Sequence, residues 1–278
     1  SNSRLSNLLD KIENQRNFNL NKNEMSQGIV GPQEKLKSSI WRDKLNESED
    51  YKPGEGIFLL NKNELADLNL SEDELKFIKP CLLTESLEKY YTNTKIKHYI
   101  IYTGKEFNDV VSNYPRIKKH LDRFKQIITS DNKPYGLHRR RDEFFFKEKK
   151  ILCIRKCEDP FFCLIENDSY VFAKFNIIKS SRINLEYLTI LLNSKLTKFY
   201  LKNRGKMQGF NFQLDTEPLL SIPVKVPENY EKYHSIFKNI KDQKMNINEV
   251  KKESDKLIYK LYNLSKDDVA EIENDLSS

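Results

Sequence analysis

The sequence predicts an α+β fold, a mixed-sheet body that carries a helical C-terminal tail. Three observations lead there. Short β-branched and aromatic runs gather between 98 and 178, a long apolar-periodic segment fills 185–202, and a 3-4 apolar repeat occupies the stretch after 230. Strands and helices therefore mix without the strict βαβ alternation of a doubly wound sheet.

From the N-terminus, residues 5–12 carry a short apolar period and read as a helix, the end of a preceding domain or a linker. The Asn-rich run NFNLNKNEM reads as irregular. QGIVGPQEKL sets Gly28 and Gly31-Pro32 around two β-branched residues, a strand running into a loop. Residues 46–50 are acidic and polar, and Pro53, Gly54 and Gly56 mark a turn before the apolar run IFLL. Ser71 with Glu74 three residues on fits a helix start, and that helix should stop before Lys79-Pro80. HYIIY at 98–102 reads as a strand. Tyr114-Pro115 opens a basic helix expected to reach Ile128, because Ile117, Leu121, Phe124 and Ile128 share one face.

Three strands are expected at 150–155, 161–166 and 170–178, with Asn167-Asp168 as the turn between the last two. Asn184 caps a helix expected over 185–202. Leu185, Leu188, Leu192, Leu196 and Phe199 line its buried side, and Lys195, Lys198 and Lys202 lie on another. RGKMQGF at 204–210, with two glycines, reads as a flexible loop, and LLSIPVKVP as a final edge strand bounded by prolines. Beyond Tyr230 the apolar repeat runs through Ile247, Val250, Leu257, Leu261 and Leu264, with Ser254 at one position expected to be apolar. Ser265 with Asp268 opens a last short helix.

A chain of 278 residues can form one large domain or two small ones. Its 38% hydrophobic and 32% charged content leaves no apolar run near the ~18 residues that a membrane span requires. No secretory signal is visible, and four cysteines without a leader suit the reducing cytoplasm. Cys153, Cys157 and Cys163 follow C-x3-C-x5-C spacing, unlike a zinc ribbon, so they are expected as small core residues with no metal. The opening Ser-Asn-Ser, without an initiator Met, is expected of a piece of a longer protein.

The net charge of +7 is unevenly spread. Residues 112–156 carry 14 Lys/Arg against 5 Asp/Glu, and residues 174–206 carry 8 against 1, so the remainder is net negative. Such segregation fits two segments that share a surface facing a polyanion. The first contains PYGLHRRRDEFFFKEKKILCIR at 134–155, a guanidinium cluster and an aromatic triplet at a strand entrance. Arg139, Arg140 and Arg141 have forks that match phosphates or guanine edges. Lys206 and Gln208 carry base-edge chemistry for guanine and adenine. Phosphate contacts are expected from Lys118, Lys119, Arg123, Lys195, Lys198, Lys202 and Arg204.

Motifs for catalysis are sparse. Neither G-x-x-x-x-G-K-[ST] nor G-x-G-x-x-G occurs, nor G-x-S-x-G, nor His-Glu-x-x-His. The Asn/Asp-Pro-Pro-aromatic tetrad of amino-methyltransferases is missing too. Glu148-Lys149-Lys150 matches the E-x-K end of a metal-dependent nuclease, but the upstream Pro-Asp is lacking and Asp142 or Asp131 would have to replace it. Two rivals to a DNA-binding module therefore stay open. One is a metal-dependent DNA endonuclease domain using Asp142, Glu148 and Lys150. The other is a non-catalytic interaction scaffold whose helical tail docks a partner.

Several ordered phrases resemble the C-terminal specificity domain of TaqI-like DNA adenine methyltransferases, a domain also found in fused type II restriction-modification enzymes. QGIVGPQEKL resembles the family's opening strand and loop, with Val30 where threonine is usual. GEGIFLLNKNEL, KFIKPCLLTESLEKYY, HYIIYT, NYPRIKKHLDRFK and the 134–155 phrase follow in order, then YLTILLNSKLTKFYLKNRGKMQGFNF, LLSIPV and DKLIYKLYNLSKDDVAEIE. The resemblance implies a DNA-methylase specificity domain that reads bases in the major groove of double-stranded DNA. It further implies an N6-adenine methyltransferase domain with S-adenosylmethionine elsewhere in a parent enzyme, with no cofactor expected in this part. By matching position, the loop with Gln27 and Gln33, the Arg139–Arg141 region and the 204–210 loop face DNA. The implied organisation is a linker helix from a catalytic domain at 1–20, a target-recognition domain at 21–230 and a helical tail at 231–278.

Overall fold

KILCI, FCLI and FNII are almost unbroken apolar runs, and such strands are stable only where both of their faces are covered. In the computed structural model, which describes residues 2–31, 33–37, 45 and 51–278, these runs form the middle of the molecule. The strands are β1 (Met25–Gln27), β2 (Leu59–Asn61), β3 (Ile78–Cys81), β4 (Tyr90–Tyr91), β5 (His98–Ile101), β6 (Lys150–Ile154), β7 (Lys156–Cys157), β8 (Phe162–Ile165), β9 (Phe175–Ile178), β10 (Lys206–Gln208) and β11 (Asn211–Gln213). The helices are α1 (Asn2–Asn14), α2 (Lys62–Leu68), α3 (Phe107–Val110), α4 (Pro115–Asp122), α5 (Leu185–Leu192), α6 (Lys195–Arg204), α7 (Thr216–Ser221), α8 (Glu231–Lys241), α9 (Ile247–Leu261) and α10 (Lys266–Ser277).

The central sheet has the order β1-β9-β6-β8-β4, antiparallel except for the β4–β8 pair. Its side chains alternate between two cores, as the period of two requires. Ile151, Cys153, Phe162, Leu164 and Ile178 join a core roofed by helices, to which α1 contributes Leu8 and Ile12, α6 Phe199, α8 Phe237 and α10 Ile272. Leu152, Cys163, Ile165, Phe175 and Ile177 join the opposite core, closed by the small antiparallel sheet β2-β5-β3 and by α4. The fold is thus α+β, as expected, and its central sheet is covered on both faces. Cys81, Cys153 and Cys163 are buried free thiols and Cys157 is partly buried.

The two chain ends belong to the helical core rather than standing apart from it. Leu8, Leu9 and Ile12 are buried in one cluster with Tyr233, Ile236, Val250, Ile258 and Tyr262. Ser254 occupies its apolar-looking position fully buried. The capping box of Ser265 and Asp268 starts α10 as expected.

Several elements depart from the sequence expectation. The helix expected from Ser71 is a single 3-10 turn, Glu74–Phe77, leading into β3. Buried Glu74 bonds back to Ser71, and its other oxygen accepts the Arg116 and Ile117 amides (both 2.9 Å), which caps α4 across space. α4 ends at Asp122, after which Phe124 N–H and Ile127 N–H bond three residues back. The 185–202 helix is two helices. Asn193 leaves the first to clip the Phe162 backbone through both side-chain atoms (2.8 Å each), and Ser194 caps the second. The expected 170–178 strand is regular only from Phe175, while Tyr170 and Phe172 make isolated bridges to Cys81 and Ile29. LLSIPVKVP begins in helix α7 and only Val224 bridges to Phe18. The acidic 46–50 stretch and Pro32 lie outside the described residues.

Candidate nucleic-acid interface

QGIVG and HRRR, far apart in sequence, meet edge to edge. Val30 and Arg139 exchange both backbone hydrogen bonds (2.9 and 3.0 Å). Gly28 is what lets this segment bed on the sheet, since a Cβ there would lie 2.0 Å from the Phe172 carbonyl oxygen. Arg141 fastens the junction from a left-handed backbone, φ 64°. Its Nε donates to the Gly28 carbonyl (3.0 Å) and its Nη2 to Gln27 Oε1 (3.1 Å), while Tyr102 donates its hydroxyl to the Arg141 carbonyl (3.0 Å). Burial first, then the guanidiniums of Arg139 and Arg155, hold the Arg141 pKa below its ordinary value. Arg140 pairs with Glu106 (2.5 Å). Arg139 is exposed and has no side-chain partner among the described residues.

The chain leaves β6 at Arg155, whose Nη1 donates to the Ala173 carbonyl (2.9 Å) and whose Nη2 pairs with Asp215 (3.3 Å). Lys206 reaches the same carboxylate (3.5 Å). These contacts tie the end of β6, the approach to β9 and the β10–β11 hairpin around a cleft of about 770 Å³. Glu34, Lys156, Lys174 and Gln213 line it. Lys156 and Lys174 are exposed and unpaired among the described residues. Burial raises the Glu34 carboxyl above its ordinary pKa, although Lys174, Lys35 and Lys37 oppose the rise.

The 204–210 segment, expected as a loop, is a hairpin that β11 fastens to β7 through Phe212↔Cys157 and Gln213↔Lys156. Gly209 at φ 60° with Phe210 makes its two-residue turn. Alternation gives the ribbon two unlike faces. Met207 and Phe212 pack into the helical core, leaving Lys206, Gln208, Asn211 and Gln213 on the other face, where Gln213 Nε2 donates to Gln208 Oε1 (2.8 Å). The signal for this hairpin is present in MQGFNFQ, a Gly-x turn between short alternating runs.

The other expected site residues fall elsewhere. Lys118, Lys119 and Arg123 line a separate groove of about 590 Å³ with Tyr51 and Gln126. There Lys118 pairs with Asp122 (2.7 Å), Arg123 pairs with Glu55 and lies over the Tyr51 ring (5.1 Å), and Lys119 is exposed. Gln33 clasps Thr129 through both amide atoms (3.1 Å each), which anchors its loop. Lys195, Lys198, Lys202 and Arg204 stand on α6 in the helical layer, each facing acids: Glu273 (3.2 Å), Asp159 (2.9 Å), Asp275 (3.4 Å), and Asp10 with Glu13 (2.8 Å each). Their charges face acids of α10, α1 and the 159 loop.

The E-x-K triplet is disassembled by the fold. Lys150 is fully buried and its ammonium donates to the carbonyls of Phe146 (2.7 Å), Glu148 (3.0 Å) and Asn167 (2.5 Å), leaving no proton to orient a water. Asp142 caps the turn after it by accepting the Phe144 amide (3.0 Å). Among the described residues no three His, Cys, Asp or Glu side chains gather as a metal site. Arg155, Lys156, Lys174 and Gln213 line the cleft although the sequence does not single them out as contacts, because only strand pairing brings 155–156, 174 and 213 together.

Comparison with known families finds that the TaqI-like C-terminal specificity domain matches residues 79–224, more than half of the chain. No curated protein matches. Among solved structures the fold is similar to the type IIL restriction-modification enzyme MmeI, determined in complex with DNA. The TM-score is 0.58 at 10% identity, covering 93% of this chain and 35% of that one. This chain thus spans about a third of that enzyme's length.

Proposed function

The chain belongs to the TaqI-like C-terminal specificity domain family, and from that premise we propose that it is a sequence-specific recognition module for duplex DNA. We place it in the cytoplasm, as part of an N6-adenine methyltransferase or a fused restriction-modification enzyme. Methyl transfer would belong to an S-adenosylmethionine-dependent domain of the longer protein, which flips the target adenine. No described helix is long and apolar enough to cross a membrane.

The observation that carries this reading is the convergence at one end of the central sheet. Arg139, Lys156 and Lys174 stand there exposed and unpaired among the described residues, beside a ribbon whose outer face is Lys206, Gln208, Asn211 and Gln213. A two-stranded ribbon fits the major groove, where amide side chains can address adenine and cations guanine or phosphate. Gln27 and Arg141 serve in this reading as the frame that presents Arg139, and Gln33 anchors its loop. Arg140 lies at the margin, engaged with Glu106. Of Lys118, Lys119 and Arg123, the first and last are already paired with Asp122 and Glu55, which leaves Lys119 as a separate phosphate contact on α4. Lys195, Lys198, Lys202 and Arg204 are left out of the contact set because acids already neutralise them.

Selection from a random duplex pool by this chain, followed by fluorescence anisotropy on the enriched site, tests the reading. One sequence should be enriched, and Lys174→Glu or Arg139→Glu should weaken binding at least about tenfold. Enrichment of nothing, or equal affinity for all duplexes and for heparin, would sink it.

A further inference from the structure

Phe210 is 90% exposed, far more than Phe144 at 53%, which lies under the Lys179 ammonium (4.0 Å). A singly exposed hydrophobic residue usually means nothing. Phe210 differs in where it stands and in what the turn demands. It is the second residue of a two-residue hairpin turn whose first is Gly209, and such turns commonly place a small polar residue there. A phenyl ring is therefore unnecessary for folding, and it has no ring or cation partner among the described residues. The turn is also held stiffly. β11 is paired on both sides, and Met207 and Phe212 root the ribbon in the core. Lys206 and Gln208 flank the tip on its polar face.

Resting on the DNA-recognition reading, we propose that Phe210 is a stacking wedge. Its ring would enter an opened base step at the edge of the recognised site while the ribbon behind it lies in the groove. The chemistry is that of aromatic side chains that insert between bases or stack on unpaired ones: a flat apolar ring leaves water for a base face, and neighbouring cations hold the phosphates. A wedge must be stiff, since a floppy tip would lose its stacking energy to ordering. The double anchoring of this ribbon supplies that stiffness.

The test uses the enriched duplex carrying 2-aminopurine at each position in turn. Binding by the unsubstituted chain should raise the probe's emission at one step, the mark of unstacking. Phe210→Ala should abolish that rise and weaken binding roughly 5- to 100-fold, with the salt slope unchanged because no phosphate contact is lost. Phe210→Trp should restore both, with quenching of the added indole above the Trp41 background. If Phe210→Ala keeps full affinity and the emission rise, the wedge is wrong while DNA recognition stands. A ring that serves a protein surface instead gives that same result. Failure of the unsubstituted chain to bind any duplex overturns both readings.

Discussion

At the scale of single residues, the same side-chain type does opposite work depending on burial. Lys150, which sequence placed in an E-x-K triplet, has its pKa pushed down to about 7 by desolvation, and its nitrogen donates hydrogen bonds to three carbonyls. Lys150→Met should cost about 1–3 kcal/mol, because the Glu148 carbonyl loses its partner while those of Phe146 and Asn167 keep the Ser169 amide and hydroxyl. Chemical denaturation measures this, and a stable Lys150→Met chain would return the residue to the list of catalytic candidates. Glu34 is the reverse case, a carboxyl raised by burial. Its folded pKa lies above its unfolded one, so its contribution favours folding at low pH and is lost as pH rises through the folded value. Glu34→Gln should therefore raise Tm near pH 8, with the gain fading toward about pH 4, where both chains carry a neutral group. A gain independent of pH would contradict this.

At the scale of elements, boundaries are set by side chains that replace backbone partners. Asn193 both ends α5 and completes the hydrogen bonding of Phe162 on β8, so one residue breaks a helix and joins it to the sheet. Asn193→Ala should cost about 2–4 kcal/mol by stranding the Phe162 amide and carbonyl, read as a lower denaturant midpoint. A loss under about 0.5 kcal/mol, the size of an ordinary surface change, would mean the clip is incidental. The pattern of leucines through 185–202 was legible and correct about burial. The break was not, because Asn-Ser in the middle of a periodic run looks tolerable until β8 lies beside it. Ser71 and Glu74 show a related limit. Their capping chemistry was visible, but the helix it caps besides its own turn is α4, more than forty residues later in the chain.

At the scale of the whole molecule, the fold sorts cations into those used inside it and those left for a partner. The α6 lysines and Arg204 are paired, whereas Arg139, Lys156 and Lys174 are bare at the sheet end. In a plot of log binding constant against log salt, each lost phosphate contact should reduce the slope by about 0.9. Lys174→Ala should show that reduction. Lys195→Ala should leave the slope and affinity alone and cost less than about 1 kcal/mol of stability, as exposed ion pairs do. Equal slope changes for both substitutions would erase the distinction between the two groups.

Sequence by itself determined the class of fold, the three central strands, the burial of the cysteines and the ordered phrases that mark the family. All of these depend on local periodicity or on residues near one another along the chain. It also found Gly28, Arg139 to Arg141, Lys206 and Gln208 as singular positions. Tertiary structure alone decided which cations face outward, that Arg141 fastens while Arg139 projects, and that 155–156, 174, 213 and 215 share one cleft. Those facts follow from strand register and from the placement of acids on α1 and α10. Pairings across more than a hundred residues have no signature in composition or spacing, because they are fixed by the geometry of the assembled sheet.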